Sequence, residues 1–414
     1  MDDKTAPLTR PETGTPGYRR NPRYAALHRR YPSVHYLRHR ARTHIPHFAF
    51  EYSDGGSGQD DAGIKRNWAA LDAVELVPRY GVMPTLPPCD VELFGCRYSA
   101  PIGVAPMGGP AIIWPGGDRH LAAAAQRARI PYMLSTAGSA TIEEIARIAP
   151  DVFWFQLYRL ANNEHALGLD LVRRAEAAGC RTLVLTLDVP VRTTRPREVA
   201  TGIAGSFDIN FGVLAQIARA PGWTMALWKY GTPRFANLRS YVGERASLAE
   251  VIAFAQRELR GAFTWDEVQK YRDRWKGTFI VKGIMHPHDA EKAVSLGADG
   301  LIVSNHGGRQ VDALPAPIDV LPAIVGEVGK RATVMMDSGV RSGSDVVRAC
   351  ALGAAVAFAG KAFLWGLGAL GPEGPGHVAD LLIEETQAVL GQLGARTLPE
   401  VRTVTIRHPG ALQF

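Results

Sequence analysis

Eight short apolar runs, each followed by a helical pattern, predict an α/β protein of the (β/α)8 TIM-barrel class. The chain has 414 residues, 46% of them apolar, which is enough to bury one barrel core and to carry a long insertion. An open doubly wound sheet would place a Gly-x-Gly-x-x-Gly turn after its first strand. The residues at that point, Met107-Gly108-Gly109, do not have this pattern, so the sequence favours the closed barrel.

The eight predicted strands are rich in Val, Ile, Leu and Phe, as is typical of parallel strands that are buried on both faces. They span residues 102–106, 132–135, 152–158, 182–188, 278–283, 300–305, 332–337 and 356–360. Helices are predicted between them over residues 121–129, 141–148, 167–179 and 344–353. The last two of these helices end in glycine, which commonly stops a helix.

Other segments flank or cover this barrel. Residues 1–45 form a basic N-terminal extension with an entry helix over 34–41, residues 46–390 form the barrel, and residues 391–414 form a C-terminal tail. Residues 52–58, Tyr-Ser-Asp-Gly-Gly-Ser-Gly, predict a tight turn, because glycine tolerates a left-handed backbone.

A long insertion, residues 189–277, separates the fourth and fifth predicted strands. At about 90 residues it is much longer than an ordinary βα connection, which indicates a lid or a partner surface. Its middle, residues 207–238, is rich in aromatic and apolar side chains and poor in acids, a composition typical of a membrane interface. The residues concerned are Phe211, Trp223, Met225, Leu227, Trp228, Tyr230 and Phe235. A lid that folds over the barrel, or a contact within an oligomer, is the alternative.

The net charge limits the classes of partner. The formal charge is +7 and the pI is near 9.3, with many basic residues near the N-terminus. The arginines of this segment include Arg19, Arg20, Arg23, Arg29, Arg30, Arg38, Arg40 and Arg42. Such a cluster can bind an acidic membrane surface or nucleic acid. The segment also contains Pro and Gly and has no nucleic-acid-binding motif, so we interpret it as a solvated arm and expect no nucleic-acid partner.

The cysteine pattern and the hydropathy of the chain indicate the cellular compartment of the protein. The four cysteines form no Cys-x-x-Cys pair and have no metal-ligand spacing with histidine, so we expect no metal site and a reducing compartment. The N-terminus has no apolar segment typical of a signal peptide, and no run of about 18 apolar residues is present. We therefore expect a cytoplasmic protein without a spanning helix, with the inner face of the cytoplasmic membrane as a peripheral site.

The most informative motif is Ser-Asn-His-Gly-Gly-Arg-Gln-Val-Asp at residues 304–312, directly after an apolar run at 300–303. It places an imidazole, His306, and a guanidinium, Arg309, three residues apart at the carboxyl end of a strand, where ligands bind in α/β folds. Imidazole can take a proton from a substrate hydroxyl near neutral pH, and a guanidinium can hold a carboxylate through two hydrogen bonds. Together they suit a 2-hydroxy acid, whereas an isolated His-Gly-Gly-Arg would fit an ordinary polar loop equally well.

Residues 304–312 closely resemble the signature of the FMN-dependent 2-hydroxy-acid oxidase and dehydrogenase family. Similar matches extend from Phe50 to Gly371, and the motif details are most similar to the mandelate and lactate dehydrogenases of that family. The resemblance implies FMN as the cofactor and oxidation of an (S)-2-hydroxy acid to the 2-oxo acid, with electrons passed to a quinone, a carrier or oxygen. It also implies a homo-oligomer, for which a tetramer is the expected form.

Two other interpretations stay open at this stage. Other FMN barrels, such as nucleotide dehydrogenases and flavin isomerases, also bind phosphate after the last two strands, but they lack the His306-x-x-Arg309 pair. The second alternative is a flavin-binding protein without turnover, for which an intact set of His306, Asp188, Arg309 and Tyr158 would have no use.

Polar residues gather at the carboxyl ends of the predicted strands, which indicates a ligand site there. Lys282 ends a buried strand and needs an anionic partner, which a reduced flavin provides around its N1 and O2 atoms. The resemblance places partners of the flavin ring at Ser135, Gln156 and Thr186, and the phosphate after the last two strands, where Lys361 replaces the usual Arg. The full set predicted to bind FMN is Pro106, Met107, Gly108, Ser135, Gln156, Thr186, Lys282, Ser304, Asp337, Ser338, Gly339, Val340, Arg341, Gly360 and Lys361.

His306 is the predicted catalytic base. Asp188, at the end of the fourth strand, is predicted to fix the tautomer of His306 and to stabilise its protonated form. The phenol of Tyr158 is predicted to bond the reacting oxygen, and that of Tyr52 to bond the substrate carboxylate.

The substrate carboxylate is predicted to bind Arg309 together with Arg195. Arg195 belongs to the Arg-Pro-Arg-Glu element at residues 195–198, which resembles the Arg-x-Arg-acid element of mandelate and membrane lactate dehydrogenases. Arg192 and Arg197 lie close by in the sequence and are competing choices.

Small residues at the predicted rim indicate the size of the substrate. Ala137 stands where glycolate oxidases carry Trp, and Gly108 stands where oxygen-using relatives often have Ala. The pocket is therefore expected to have space beside C3 and to favour an aryl or larger aliphatic acid over glycolate. Trp223 or Phe211 of the insertion would reverse this expectation if either filled the space.

Overall fold

A computed structural model describes residues 25–82, 86–191, 193–203, 210–243, 246 and 248–414. Residues 1–24 of the predicted basic extension, Arg192, and residues 207–209 of the aromatic segment lie outside the described residues.

Four helices and three short strands precede the barrel. They are α1 (Ala25–Arg30), α2 (Val34–His44), α3 (His47–Asp54), α4 (Ala62–Asp72), β1 (Glu75–Val77), β2 (Val91–Leu93) and β3 (Cys96–Tyr98). The predicted entry helix is confirmed as α2, which continues to His44. The prediction of a turn from Tyr52 onward is wrong for its first three residues, which form the end of α3; the chain leaves the helix only at Gly55. Tyr52 is therefore held by a helix.

Eight parallel strands close into a barrel, which confirms the predicted fold class. They are β4 (Ile102–Val104), β5 (Tyr132–Ser135), β6 (Phe153–Leu157), β7 (Thr182–Thr186), β8 (Thr278–Ile284), β9 (Gly300–Val303), β10 (Thr333–Met336) and β11 (Ala357–Ala359). Neighbours around the barrel follow the chain order, and β11 closes it by pairing with β4. Several strands end before the predicted residue, because Asp188 and Asn305 already belong to loops at the carboxyl rim.

The strand register places polar residues side by side at that rim. Ser135 on β5 pairs with Gln156 on β6, and Thr186 on β7 pairs with Lys282 on β8. A bulge follows in β8 at Gly283, which has a φ of +95°. A Cβ atom there would lie 2.7 Å from the backbone nitrogen of Asp188, so glycine permits the loop after β7 to approach β8 closely.

Four helices connect the first strands of the barrel. They are α5 (Pro110–Ile113), α6 (Gly117–Ala128), α7 (Ile142–Ile148) and α8 (Asn162–Ala177). Thr141 caps α7 by accepting a hydrogen bond from the backbone N–H of Glu144 at 3.2 Å. Gly179 follows α8 with a φ of +84°, which confirms the predicted glycine stop.

The insertion after the fourth barrel strand is also confirmed. It contains α9 (Pro196–Ala200), α10 (Phe211–Ala218), α11 (Pro221–Tyr230), α12 (Ala236–Val242), α13 (Leu248–Glu258) and α14 (Trp265–Arg274). Helices α10 and α11 expose Phe211 and Trp228 to solvent and bury Trp223. The Trp223 indole N–H donates to the carbonyl of Ile112 at 3.1 Å, which fastens α11 to the rim of the barrel.

Five further helices and a short strand complete the chain. They are α15 (Pro287–Ser295), α16 (Pro317–Val328), α17 (Gly343–Ala351), α18 (Lys361–Leu370), α19 (Gly374–Leu393) and β12 (Thr405–Arg407). Helix α19 crosses the predicted boundary at residue 390, and β12 pairs antiparallel with β1 through Ile406 and Leu76. Helix α18 packs against the entry helix α2, so both ends of the described chain contribute to one core.

The close packing of α18 and α19 predicts opposite effects for two helical glycines. A methyl group at Gly366 would overlap the Val378 side chain and lie 3.0 Å from the carbonyl oxygen of Gly374, whereas one at Gly326 of α16 has no atom within 4 Å. Gly366→Ala should lower the free energy of unfolding by about 1–3 kcal/mol. Gly326→Ala, the control, should raise it by about 0.5–1 kcal/mol. Urea unfolding of the two variants measures both values, and equal effects would contradict the packing described.

Candidate active site

A cavity of about 740 Å³ lies between the carboxyl rim of the barrel, α3 and the insertion. The predicted site residues that line it are Tyr52, Pro106, Met107, Gly108, Tyr158, Arg195, Lys282, His306, Arg309, Asp337, Ser338, Gly339, Val340, Arg341, Gly360 and Lys361. The other predicted residues, Ser135, Gln156, Thr186, Asp188 and Ser304, lie at or just after the strand ends without lining the cavity.

His306 lies between a carboxylate and a phenol. It follows β9 with a φ of +60°, a backbone region that non-glycine residues seldom adopt and that recurs at functional sites. Its Nδ1 atom is 3.0 Å from Asp188 Oδ1, and its Nε2 atom is 3.3 Å from the phenolic oxygen of Tyr158. Because the Asp188 carboxylate is a hydrogen-bond acceptor, the proton of the neutral imidazole lies on Nδ1. The lone pair on Nε2 is then available to accept a second proton.

Lys282 lies in a buried cluster of opposite charges. Its Nζ atom is 3.1 Å from Asp337 Oδ2 and 3.5 Å from Asp188 Oδ2, and it donates to the Ser304 hydroxyl at 2.7 Å. Burial lowers the pKa of Lys282, but the two carboxylates outweigh that effect and raise it above its ordinary value. Burial also disfavours the charged form of Asp188, which for a carboxyl group would raise the pKa. The nearby Lys282 and His306 outweigh burial and hold the pKa of Asp188 well below its usual range. The lysine and Asp188 are therefore both ionised at neutral pH.

One atom of the buried Gln156 amide has no hydrogen-bond partner among the described residues. Gln156 donates through Nε2 to the Thr186 hydroxyl at 2.8 Å, but its buried Oε1 atom accepts no hydrogen bond within the described part of the chain. Ser135, its neighbour in the register, accepts from the backbone N–H of Ala137 at 3.2 Å. Buried acceptors are nearly always satisfied in folded proteins, so the Gln156 oxygen could accept a hydrogen bond from a ligand, and a donor on the polar edge of a flavin ring would fit it.

The ends of β10 and β11 form a recess lined by backbone. Gly339 has a φ of +97°, and a Cβ atom on Gly360 would lie 3.6 Å from the sulfur of Met107. Helices α17 and α18 begin next to this recess, and their N-termini favour an anion such as phosphate. Arg341 adds a guanidinium here, held by Asp72 at 2.7 Å.

Ser338 takes part in this end of the site through its side chain. Its hydroxyl accepts from the backbone N–H of Gly307 at 2.9 Å and donates to Asp337 Oδ1 at 2.8 Å. The serine thus ties the end of β10 to the loop that carries His306, which the sequence pattern did not indicate.

Lys361 has different partners from those that the sequence suggested. Its Nζ atom donates to the carbonyl oxygens of Ser53, Asp54 and Gly55 at 2.9, 3.0 and 2.9 Å. Burial, together with the nearby Arg309 charge, lowers the pKa of Lys361 well below its ordinary value. Lys361 therefore caps the carboxyl end of α3, and Arg341 and the backbone amides remain as the groups in this recess that could hold an anion.

The guanidiniums of Arg309 and Arg195 and the carboxylate of Glu198, which was not predicted, form the remaining wall of the cavity. Arg309 donates through Nη1 to the carbonyl oxygens of Tyr52 and Gly55 at 3.0 and 2.8 Å, and through Nη2 to Glu198. Arg195 donates to the same Glu198 oxygen at 3.3 Å. Glu198 is the residue that the sequence analysis left unassigned, although the acid at the end of the Arg-x-Arg-acid element was a signal for it.

The competing arginine, Arg197, does not line the cavity. Its guanidinium bonds Glu51, Asp54 and Asp61 on the far side of α3. The structure thus brings Arg195, and not Arg197, next to Arg309, while Arg192 lies outside the described residues.

A closed (β/α)8 barrel with a His–Asp pair at its carboxyl rim is an arrangement that suits an FMN-dependent oxidoreductase. Within that class the chain belongs to the FMN-dependent dehydrogenase family, whose family model matches residues 41–408. The predicted family and cofactor are thereby confirmed.

Individual relatives are similar over nearly their whole lengths. L-lactate dehydrogenase of Ectopseudomonas mendocina is 36% identical over 367 residues, which cover 87% of this chain and 94% of that protein. (S)-mandelate dehydrogenase of Pseudomonas putida is 35% identical over 366 residues, which cover 88% of this chain and 91% of that protein. The crystal structure of the monotopic membrane protein (S)-mandelate dehydrogenase has a TM-score of 0.86 at 33% identity and covers 91% of this chain and 99% of that one.

Proposed function

We propose that this site oxidises an (S)-2-hydroxy acid to the 2-oxo acid. FMN, when bound, accepts the two electrons that leave C2 of the substrate. The observation that carries the proposal is the position of His306, whose Nε2 atom lies at the cavity next to Tyr158 while its Nδ1 atom is held by Asp188. A base oriented in this way, on the same loop as a carboxylate-binding arginine, suits a substrate with adjacent hydroxyl and carboxylate groups.

His306 takes the proton of the substrate hydroxyl on Nε2, and Asp188 stabilises the imidazolium that forms. In the alternative carbanion route His306 takes the proton from C2, and the base is the same residue. Burial raises the pKa of Tyr158 to about 12, so its phenol stays protonated and donates a hydrogen bond to the reacting oxygen.

Arg309 and Arg195 orient the substrate carboxylate, and Tyr52 supports this end of the pocket. The Tyr52 hydroxyl donates to the carbonyl of Gly108 at 2.7 Å, and the Arg309 guanidinium lies 5.2 Å from the centre of the Tyr52 ring. Both guanidiniums line the cavity, so a carboxylate can reach them. This leaves the hydroxyl side of the acid toward His306.

The residues that would hold FMN divide into three groups. Lys282 supplies a positive charge for the electron-rich edge of the ring, and Gln156, with Ser135 and Thr186, supplies neutral partners. The amides after Gly339 and Gly360 and the guanidinium of Arg341 would hold the phosphate. The remaining members of this proposal are Pro106, Met107, Gly108, Ser304, Asp337, Ser338 and Val340, together with Lys361, which acts by capping α3.

We further propose that α10 and α11 contact a membrane surface peripherally. Phe211, Met225 and Trp228 are 86%, 70% and 89% exposed, and the two helices carry no acidic residue. Exposed aromatic side chains with neighbouring cations such as Lys229 suit the headgroup region, above all one with anionic lipids at the inner face of the cytoplasmic membrane. In the described part of the chain, no helix combines the length and the hydropathy needed to cross a membrane.

Self-association into a homo-oligomer, with a tetramer as the expected form, stays a prediction. Size-exclusion chromatography with light scattering would measure the mass of the particle directly.

His306→Gln should keep FMN bound and lose flavin reduction, because it removes the base and leaves Lys282 and the phosphate recess intact. The rate of bleaching by a 2-hydroxy acid under argon should fall by about two to four decades. His288→Gln, which changes an exposed histidine of α15, is the control and should reduce at the wild-type rate. Reduction of the His306 variant at that rate would refute the assignment. If the wild-type flavin is reduced by no 2-hydroxy acid, the chain is a flavin-binding protein without this turnover.

The rim predicts a preference for large substrates. Phe211 points to solvent, Trp223 lines the cavity from α11, and a Cβ atom on Gly108 would lie 3.5 Å from that of Ala137. Because small residues remain at this part of the rim, we expect a higher kcat/KM for (S)-mandelate than for glycolate. Ala137→Trp should lower the value for mandelate by about tenfold or more and spare glycolate. A clear wild-type preference for glycolate would mean that Trp223 refills the space.

The exposed face of α10 and α11 predicts lipid binding. The triple variant Phe211→Ser, Met225→Ser, Trp228→Ser should no longer sediment with vesicles that contain phosphatidylglycerol, whereas the wild type should. A control with Val77→Ser and Tyr80→Ser removes exposed apolar side chains elsewhere and should bind like the wild type. If the triple variant instead changes the mass of the particle and not its lipid binding, the face is an oligomer contact.

A further inference from the structure

Glu198 is a buried carboxylate placed inside the proposed substrate site. Its side chain is only 9% exposed, and its Oε1 atom accepts hydrogen bonds from Arg309 and, at 3.3 Å, from Arg195. Within the described residues, no other carboxylate lies within 4.0 Å of either guanidinium. Glu198 also lines the cavity, so it faces any anion that these arginines bind.

Two neighbouring cations have carboxylate partners of their own and add no free positive charge to this wall. Arg197 contacts three carboxylates beyond α3, and Lys282 contacts two at the strand ends. The wall formed by Arg195, Arg309 and Glu198 thus keeps one positive charge in excess. The low exposure of these groups limits screening by solvent, so this excess charge acts strongly on a bound anion.

We propose that Glu198 is a specificity-determining residue that limits this site to substrates with one carboxylate. The excess charge of the wall matches a single carboxylate, and a second negative charge placed against this wall would meet the Glu198 carboxylate. The inference rests on the proposed function, because it assigns the substrate carboxylate to Arg195 and Arg309.

A purely structural role for Glu198 leads to a different expectation. If the carboxylate only held Arg309 in place, its removal would weaken the binding of every anion to a similar extent. If it sets the charge of the wall, its removal strengthens anion binding, and more so for a dianion, because Coulomb energy scales with ligand charge.

The test uses two 2-oxo acids of equal chain length, 2-oxopentanoate and 2-oxoglutarate, which differ by one carboxylate. Their dissociation constants are measured with the FMN-loaded protein from the change in flavin absorbance, so that turnover is not required. In Glu198→Gln, which keeps a hydrogen-bond acceptor, both acids should bind more tightly. The ratio of affinities, 2-oxoglutarate to 2-oxopentanoate, should rise by about tenfold.

Two further variants complete the experiment. Glu198→Asp keeps the charge and should keep the wild-type ratio even if both affinities fall. Glu51→Gln removes a carboxylate of similar exposure from Arg197, which retains Asp54 and Asp61, and should also keep the ratio. Weaker binding of both acids to Glu198→Gln, or an unchanged ratio, would overturn the inference. Failure of any 2-hydroxy acid to reduce the wild-type flavin would instead overturn the proposed function, and these two outcomes are measured separately.

Discussion

The buried ion cluster at the end of β8 is the constraint on which the rest of the site depends. A buried ammonium persists only with anionic partners, and Lys282 has two of them, Asp188 after β7 and Asp337 after β10. Asp188 also accepts a hydrogen bond from His306, so the orientation of the proposed base is coupled to the charge balance of the strand ends. The bulge at Gly283 makes this arrangement possible, because it lets the loop that carries Asp188 approach β8. The orientation of the His306 imidazole therefore depends on the charges of this cluster, on the strand register and on the backbone conformation at Gly283.

Another buried carboxylate, that of Asp54, holds together the segments that cover the carboxyl rim of the barrel. Asp54, at the end of α3, accepts hydrogen bonds from Arg38 of the entry helix and from Arg197 of the insertion, and its backbone carbonyl accepts from Lys361 of α18. Burial would raise the pKa of Asp54, but these cations lower it below its ordinary value, so the carboxylate is charged at neutral pH. Since Tyr52 lies in the last turn of the same helix, the substrate side of the cavity is positioned by three segments that are far apart in the sequence.

The barrel and most of the candidate site followed from the sequence, because they depend on local patterns. Apolar runs define buried strands, and the residues that follow such runs must gather at one rim. The partners of individual side chains did not follow. Lys282 was matched to a flavin alone, whereas two aspartates already balance it, and Lys361 was matched to phosphate, whereas it caps a helix 307 residues earlier in the chain. Such contacts are set by tertiary packing, and a charged residue at a strand end is compatible with several partners until the fold brings one of them close. For Glu198 the Arg-x-Arg-acid element marked the residue, but only the fold shows that its carboxylate contacts both Arg309 and Arg195.

Helix α11 of the insertion contributes side chains both to the cavity and to the outer surface of the protein. Trp223 and Leu227 of α11 line the cavity, while Met225 and Trp228 of the same helix face solvent. Because a helix places residues two apart on different faces, a shift of α11 on a lipid surface would move the wall of the pocket by a similar distance. The hydrogen bond from the Trp223 indole to Ile112 limits that shift, since it ties the helix to the barrel rim. If α10 and α11 bind a membrane as proposed, that contact is mechanically linked to the shape of the pocket, and the strength of the link depends on how firmly Trp223 is held.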